Sequence, residues 1–162
     1  GGVTWFLPPE DRTYTSVVEF KDILARALGG RIAEKVVYGQ DRITTGAGSD
    51  LRKATEIARD MVIEQGMADG LRDQVFHEDN GGMVFDKITH ERPYSDDTAR
   101  LIDEEVKKLI TEAANRAELV IAHNMKHLEA LAKRLLKEET IDEEVVSEVL
   151  KDAKLPAQAK LY

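Results

Sequence analysis

The chain has 162 residues, an apolar content of 42% and a net charge of -8. That length suits one domain with a modest helical core, and the acidity argues against nucleic acid, whose binding needs a positive footprint. There is no cysteine, which excludes disulfides and thiolate metal sites and fits a reducing compartment; no run of eighteen apolar residues offers a membrane span, and no signal-peptide pattern opens the sequence.

Val3, Thr4, Trp5, Phe6 and Leu7 alternate weakly between two faces, a short strand stopped by Pro8-Pro9. Ser16-Val17-Val18-Glu19 is a capping box. Behind it Phe20, Ile23, Leu24, Ala27, Leu28 and Ile32 recur at helical spacing. Gly29-Gly30 interrupts the run, and each glycine costs a helix about 1 kcal/mol relative to alanine. Either another helix approaches closely there, or the helix breaks. Arg31 and Glu34 lie on neighbouring turns and can pair across one face, and Gly39 reads as a helix stop.

Thr44-Thr45-Gly46-Ala47-Gly48-Ser49-Asp50 is a tight polar turn leading into an apolar-periodic run from Leu51 to Gln65. Two readings of Asp50 are open. As a helix cap, a role Ser49 could also fill, it accepts an orphan N–H and contributes about 1 kcal/mol. As a metal ligand, it is a carboxylate fixed at a helix start, beside two histidines brought from elsewhere. The helix after the turn buries Leu51, Ala54, Ala58, Met61 and Val62 and ends at Gly66.

Gln74-Val75-Phe76 and Met83-Val84-Phe85 flank an Asn80-Gly81 turn element and predict a small hairpin, whose loop puts His77 in solvent, as His90 is further on. Ser95 caps a long helix striped by Leu101, Ile102, Val106, Leu109, Ile110, Ala113 and Ala117. Leu128, Leu131, Ala132, Leu135 and Leu136 mark a second stripe, and the two predict an antiparallel pair or bundle. Thr140-Ile141-Asp142-Glu143 is a further capping box opening a last helix to about Leu150, and the rest of the chain is expected to fray.

His123 and His127 stand four residues apart, which puts both on one face of a continuous helix, as zinc proteases require. The zinc motif HExxH also needs a glutamate after the first histidine as general base, and here that residue is Asn124. Lys126 adds a charge that opposes a cation, so the pair fits adventitious metal better than a built site.

The order Gly29-Gly30-Arg31-Ile32-Ala33-Glu34, Val36-Val37-Tyr38-Gly39, the threonine-glycine turn, Asp50 and Ala54-Thr55-Glu56-Ile57-Ala58-Arg59 closely resembles the peptidase domain of the FtsH family, membrane-anchored AAA+ zinc metalloproteases. The resemblance runs from Val3 to about Leu150. It implies a mainly α fold: a helical peptidase-domain fragment with a C-terminal antiparallel helical bundle, a short N-terminal strand and a small hairpin. Residues 1–92 would be the C-terminal part of the zinc peptidase core, 93–151 the helical bundle and 152–162 a tail. Asp50 matches the family's third zinc ligand, and Glu34 becomes a candidate for orienting a metal ligand. Lys35 stands where the family usually has a second glutamate, so that position tolerates either charge. The helix approaching Gly29-Gly30 would be the one that carries the zinc histidines, and the Val3–Leu7 strand would hold substrate by strand addition.

HExxH occurs nowhere in the 162 residues. In the family it lies upstream, with the ATPase module, its ATP and magnesium, and the membrane segments further upstream still. The implied parent is a membrane-anchored homo-hexamer that degrades unfolded or membrane proteins, with this region in the cytoplasm or an organelle matrix or stroma and not touching the membrane. The chain alone is expected to be inactive. The alternative is a non-catalytic helical module for oligomerisation or partner binding.

Overall fold

The computed structural model describes residue 4 and residues 14–76 and 94–161. The mainly α expectation holds: the described residues are helices and turns, with no strand among them. The strand at Val3–Leu7 lies outside the described residues except for Thr4, and so does the hairpin beyond Phe76.

Helix α1 spans Val17–Tyr38, and its start follows the sequence. The Ser16 hydroxyl accepts from the Glu19 N–H at 3.3 Å, while the Glu19 carboxylate accepts from the Ser16 N–H at 2.7 Å. The helix ends at Gly39, whose φ of 87° is a conformation that side chains resist. It runs unbroken through Gly29-Gly30, so the helix-break reading is overturned. Among the described residues nothing lies within 4 Å of where a Cβ would sit on either glycine, so the close approach offered in its place has no partner there. Burial of Leu24, Leu28 and Ile32 on the opposite face offsets the cost of the two glycines.

Helix α2 covers Gly48–Ile63 and helix α3 Asp96–His123. With α1 they enclose a single core: Leu24, Leu28 and Ile32 meet Ala54, Ala58, Met61 and Val62, and Ile102, Leu109, Ala113 and Ala117 close the third side. The fully buried alanines of α2 let its neighbours approach closely. After α2, Gly66 turns the chain with φ 57°, and the Phe76 N–H donates to the Ile63 carbonyl at 2.8 Å. The Phe76 ring meets Tyr94 edge-on at 6.0 Å, tying the exit of α2 to the entry of α3. Ser95 caps α3 as expected, accepting from the Thr98 N–H.

Ion pairs bridge α1 and α3: Lys21 with Glu112 at 3.3 Å, Lys35 with Glu118 at 2.6 Å, and Asp22 with Arg116. Such exposed pairs contribute at most about 1 kcal/mol each, but they fix which faces meet. The Lys35 side chain thus has a partner on another helix.

The C-terminal part departs from expectation in four places. The apolar stripe of α3 is covered by α1 and α2 rather than by helix α4, Met125–Glu138, none of whose residues is fully buried. Leu136 is 86% exposed. Helix α5, Glu143–Val149, is capped by Asp142, which accepts from the Val145 N–H at 3.0 Å, and not by Thr140. Thr140 is used two residues earlier, its N–H donating to the Glu138 carbonyl in the turn that ends α4. The expected frayed tail is docked. Arg116 Nε donates to the Ala159 carbonyl at 2.6 Å, and Ala159 is only 1% exposed.

The fourth departure concerns His123 and His127. Helix α3 ends at His123 and α4 begins at Met125, so the two histidines do not share a continuous helix. Asn124 is the corner. Its Nδ2 donates to the carbonyls of Val120 at 2.8 Å and Lys154 at 2.9 Å, and its Oδ1 accepts from the Lys154 N–H at 2.9 Å. Where the zinc motif would carry its general base, this chain carries a clip for its own C-terminal segment.

Candidate functional site

The turn between α1 and α2 is built from the end of α1 outward. Glu34 lies one turn before Gly39 and points its carboxylate at Thr44. The Thr44 N–H donates to Oε2 at 3.0 Å, and the Thr44 hydroxyl donates to Oε1 at 2.9 Å. These bonds, the backbone one first, hold the Glu34 pKa below the ordinary glutamate value, with the nearby Arg31 charge the smallest of the causes. The expected Arg31–Glu34 pair does not form; the Glu34 carboxylate is bonded to Thr44 instead.

Thr44 in turn caps a 3-10 turn, Thr45–Ala47, its hydroxyl oxygen accepting the Gly46 N–H at 3.2 Å. A Cβ on Gly46 would meet that same oxygen at 3.2 Å, which explains the glycine. Ala47 is buried, and α2 starts at the next residue.

The capping role expected of Ser49 or Asp50 is not observed. The residue before the helix is Ala47, which offers no side-chain bond, and Ser49 and Asp50 are already helical. Asp50 lies in the first turn, where the helix dipole favours a negative charge. Its carboxylate is exposed and has no hydrogen-bond or ion-pair partner among the described residues. A fixed backbone thus presents a carboxylate with all its lone pairs free.

A catalytic zinc site takes three protein ligands. Among the described residues no three His, Cys, Asp or Glu side chains converge. The turn therefore suits one ligand position and does not by itself make a metal centre. His123 and His127 belong to the corner at Asn124, in a separate part of the chain. Thr44 is the residue whose part in the site sequence reasoning missed. The signal was there: a threonine two residues before a glycine is the pattern of a hydroxyl that accepts the i+2 N–H.

The model of peptidase family M41 matches residues 1–149. The chain belongs to peptidase family M41. The resemblance to FtsH seen in the ordered motifs extends over almost the whole M41 chain. It is 41% identical over 157 residues to "ATP-dependent zinc metalloprotease FtsH" of Synechococcus sp., covering 96% of this chain and 25% of that protein. To the FtsH of Bacillus subtilis it is 39% identical over 158 residues, covering 96% of this chain and 24% of that one. To FtsH 3 of Synechocystis sp. it is 40% identical over 154 residues, with 93% and 25% covered. The M41 chain thus spans about a quarter of the length of these relatives. No helix among its described residues is long and apolar enough to cross a membrane.

Proposed function

We propose that this chain is the C-terminal part of the peptidase domain of an ATP-dependent zinc metalloprotease, and that Asp50 supplies one of its zinc ligands. The observation that carries the reading is the free, exposed carboxylate of Asp50 at the end of a turn tied to the core. The remaining donors and the general base would come from an HExxH segment, which the 162 residues do not contain. Glu34 acts behind Asp50 by holding the turn, and Val3–Leu7 would align a substrate strand. The open face at Gly29 and Gly30 suits the helix that brings the histidines. An ATPase module, a hexameric assembly, membrane anchoring and unfolded or membrane protein substrates belong to the same reading. The names of the relatives support its ATP-dependent and zinc parts.

By itself the chain is then proteolytically inert and holds no zinc. Dialysis against zinc and then metal-free buffer should leave far less than one zinc per chain, and an unfolded protein should stay intact. One retained zinc, or cleavage stopped by a chelator, would refute this.

A second reading is favoured by α4: no residue of it is fully buried, and Leu135 and Leu136 are exposed. On that reading the C-terminal helices are an assembly surface. A mass that rises with concentration, and falls back in Leu136→Glu, would support it; a monomer at every concentration would count against it.

A further inference from the structure

We propose that Thr44 is a positioning residue, whose hydroxyl, gripped by Glu34, sets the direction in which the turn presents Asp50. The inference rests on the reading of Asp50 as a metal ligand and adds a residue that the motif spacing does not single out.

Thr44 is held three ways. Its N–H and its hydroxyl donate to the two oxygens of the Glu34 carboxylate at 3.0 Å and 2.9 Å, and its hydroxyl oxygen accepts the Gly46 N–H at 3.2 Å. A threonine that only capped the short turn would need the last bond alone. The carboxylate ten residues upstream makes a bidentate, charge-assisted grip that fixes the residue against α1 itself. Helix α1 is not a loose support. Ile32, two residues before Glu34, is buried in the core, and Lys35 is bridged to Glu118 on α3.

The downstream side is equally constrained. Ala47 is buried, and Gly48 already has the ordinary helical backbone, φ -63° and ψ -34°. From Gly48 to Asp50 the chain is regular helix, so a rotation of the turn at Thr44–Gly46 is carried to the Asp50 carboxylate rather than absorbed on the way. Asp50 has no partner of its own among the described residues to correct its direction. Beyond Asp50 the helix is anchored by Ala54 and Ala58 in the core, and before it the entry to the helix is set by the turn, which the Glu34–Thr44–Gly46 chain of bonds holds.

The test compares Thr44→Val, Thr44→Ser and Asp50→Ala. Amide exchange at Gly46 is read on the metal-free chain, and zinc affinity on the full-length protein. Valine keeps the shape and loses the hydroxyl; serine keeps it. Thr44→Val should speed Gly46 exchange about fivefold or more and weaken zinc binding about tenfold or more, the usual effect of removing a group that orients a ligand. Thr44→Ser should stay within about twofold of the unsubstituted protein in both. If Thr44→Val does not fold, Glu34→Gln weakens the same grip from the other end and should weaken zinc binding likewise. If Asp50→Ala releases zinc while Thr44→Val binds it as tightly as the unsubstituted protein, Thr44 has no positioning role and the inference is overturned. If Asp50→Ala keeps its zinc, the ligand reading itself is wrong, and this inference falls with it.

Discussion

Replacing Asn124 with alanine should unclip the C-terminal segment without touching the three-helix core. Three hydrogen bonds of one side chain are lost, one to Val120 and two to the backbone of Lys154. A net of about 0.5–1.5 kcal/mol for each would give about 1.5–4.5 kcal/mol. Lys154 is exposed, however, so water takes over its N–H and carbonyl, and the cost falls to about 1–2 kcal/mol. For a chain of this size that is a melting temperature lower by about 2–8 °C, read by circular dichroism. The local sign is more specific: amide exchange at Lys154 should rise while that of the core helices stays unchanged. Asn124→Asp should be worse than alanine at neutral pH, because it removes the donor and sets a carboxylate against two carbonyl oxygens. A melting temperature within about 1 °C of the unsubstituted chain, with Lys154 equally protected, would refute the assignment of this residue as a clip.

Met61→Ala empties a fully buried position between the helices and should cost about 2–5 kcal/mol, measured as a lower urea midpoint at unchanged slope. At Gly66, φ 57° and a Cβ position only 3.1 Å from the Gln74 carbonyl oxygen make alanine strained, so Gly66→Ala should destabilise by about 1–2 kcal/mol in the same assay. Glu34 has a folded pKa below its unfolded value, so its stabilisation is complete above the ordinary glutamate range and is lost as pH falls through the folded pKa. Glu34→Gln should therefore flatten the acid limb of a plot of melting temperature against pH, and an unchanged limb would count against the Thr44 grip.

What the sequence disclosed was local. The boxes and caps at Ser16 and Ser95 and the stop at Gly39 are decided within four residues, and the structure has them where they were expected. The stripes of Leu24, Leu28 and Ile32, and of Ile102, Leu109 and Ala113, follow from period alone. A stripe says that a face is buried but not against what, so the period of α3 predicts a partner without identifying it, and that partner is α1 and α2 rather than α4. The docked tail, the Asn124 corner and the Thr44 grip all rest on side chains bonding to residues ten to forty-three positions away. Such bonds leave no periodic trace. The order of the motifs made the candidate site legible by resemblance. That Asp50 does not serve as a cap is a fact of geometry, because the helix begins at Gly48, three residues before the Leu51 start that an Asp50 cap requires.

The bridge between Lys35 and Glu118 has a consequence for how this lineage can change. With the ammonium 2.6 Å from the carboxylate, the two positions are no longer independent. Lys35→Glu alone sets two acids face to face, and Glu118→Lys alone sets two bases face to face. An exposed pair of this kind is worth about 0.5 kcal/mol, enough to order the steps without forbidding them. Exchanging both charges at once, Lys35→Glu with Glu118→Lys, keeps an opposite-sign pair and should recover most of what either change costs alone.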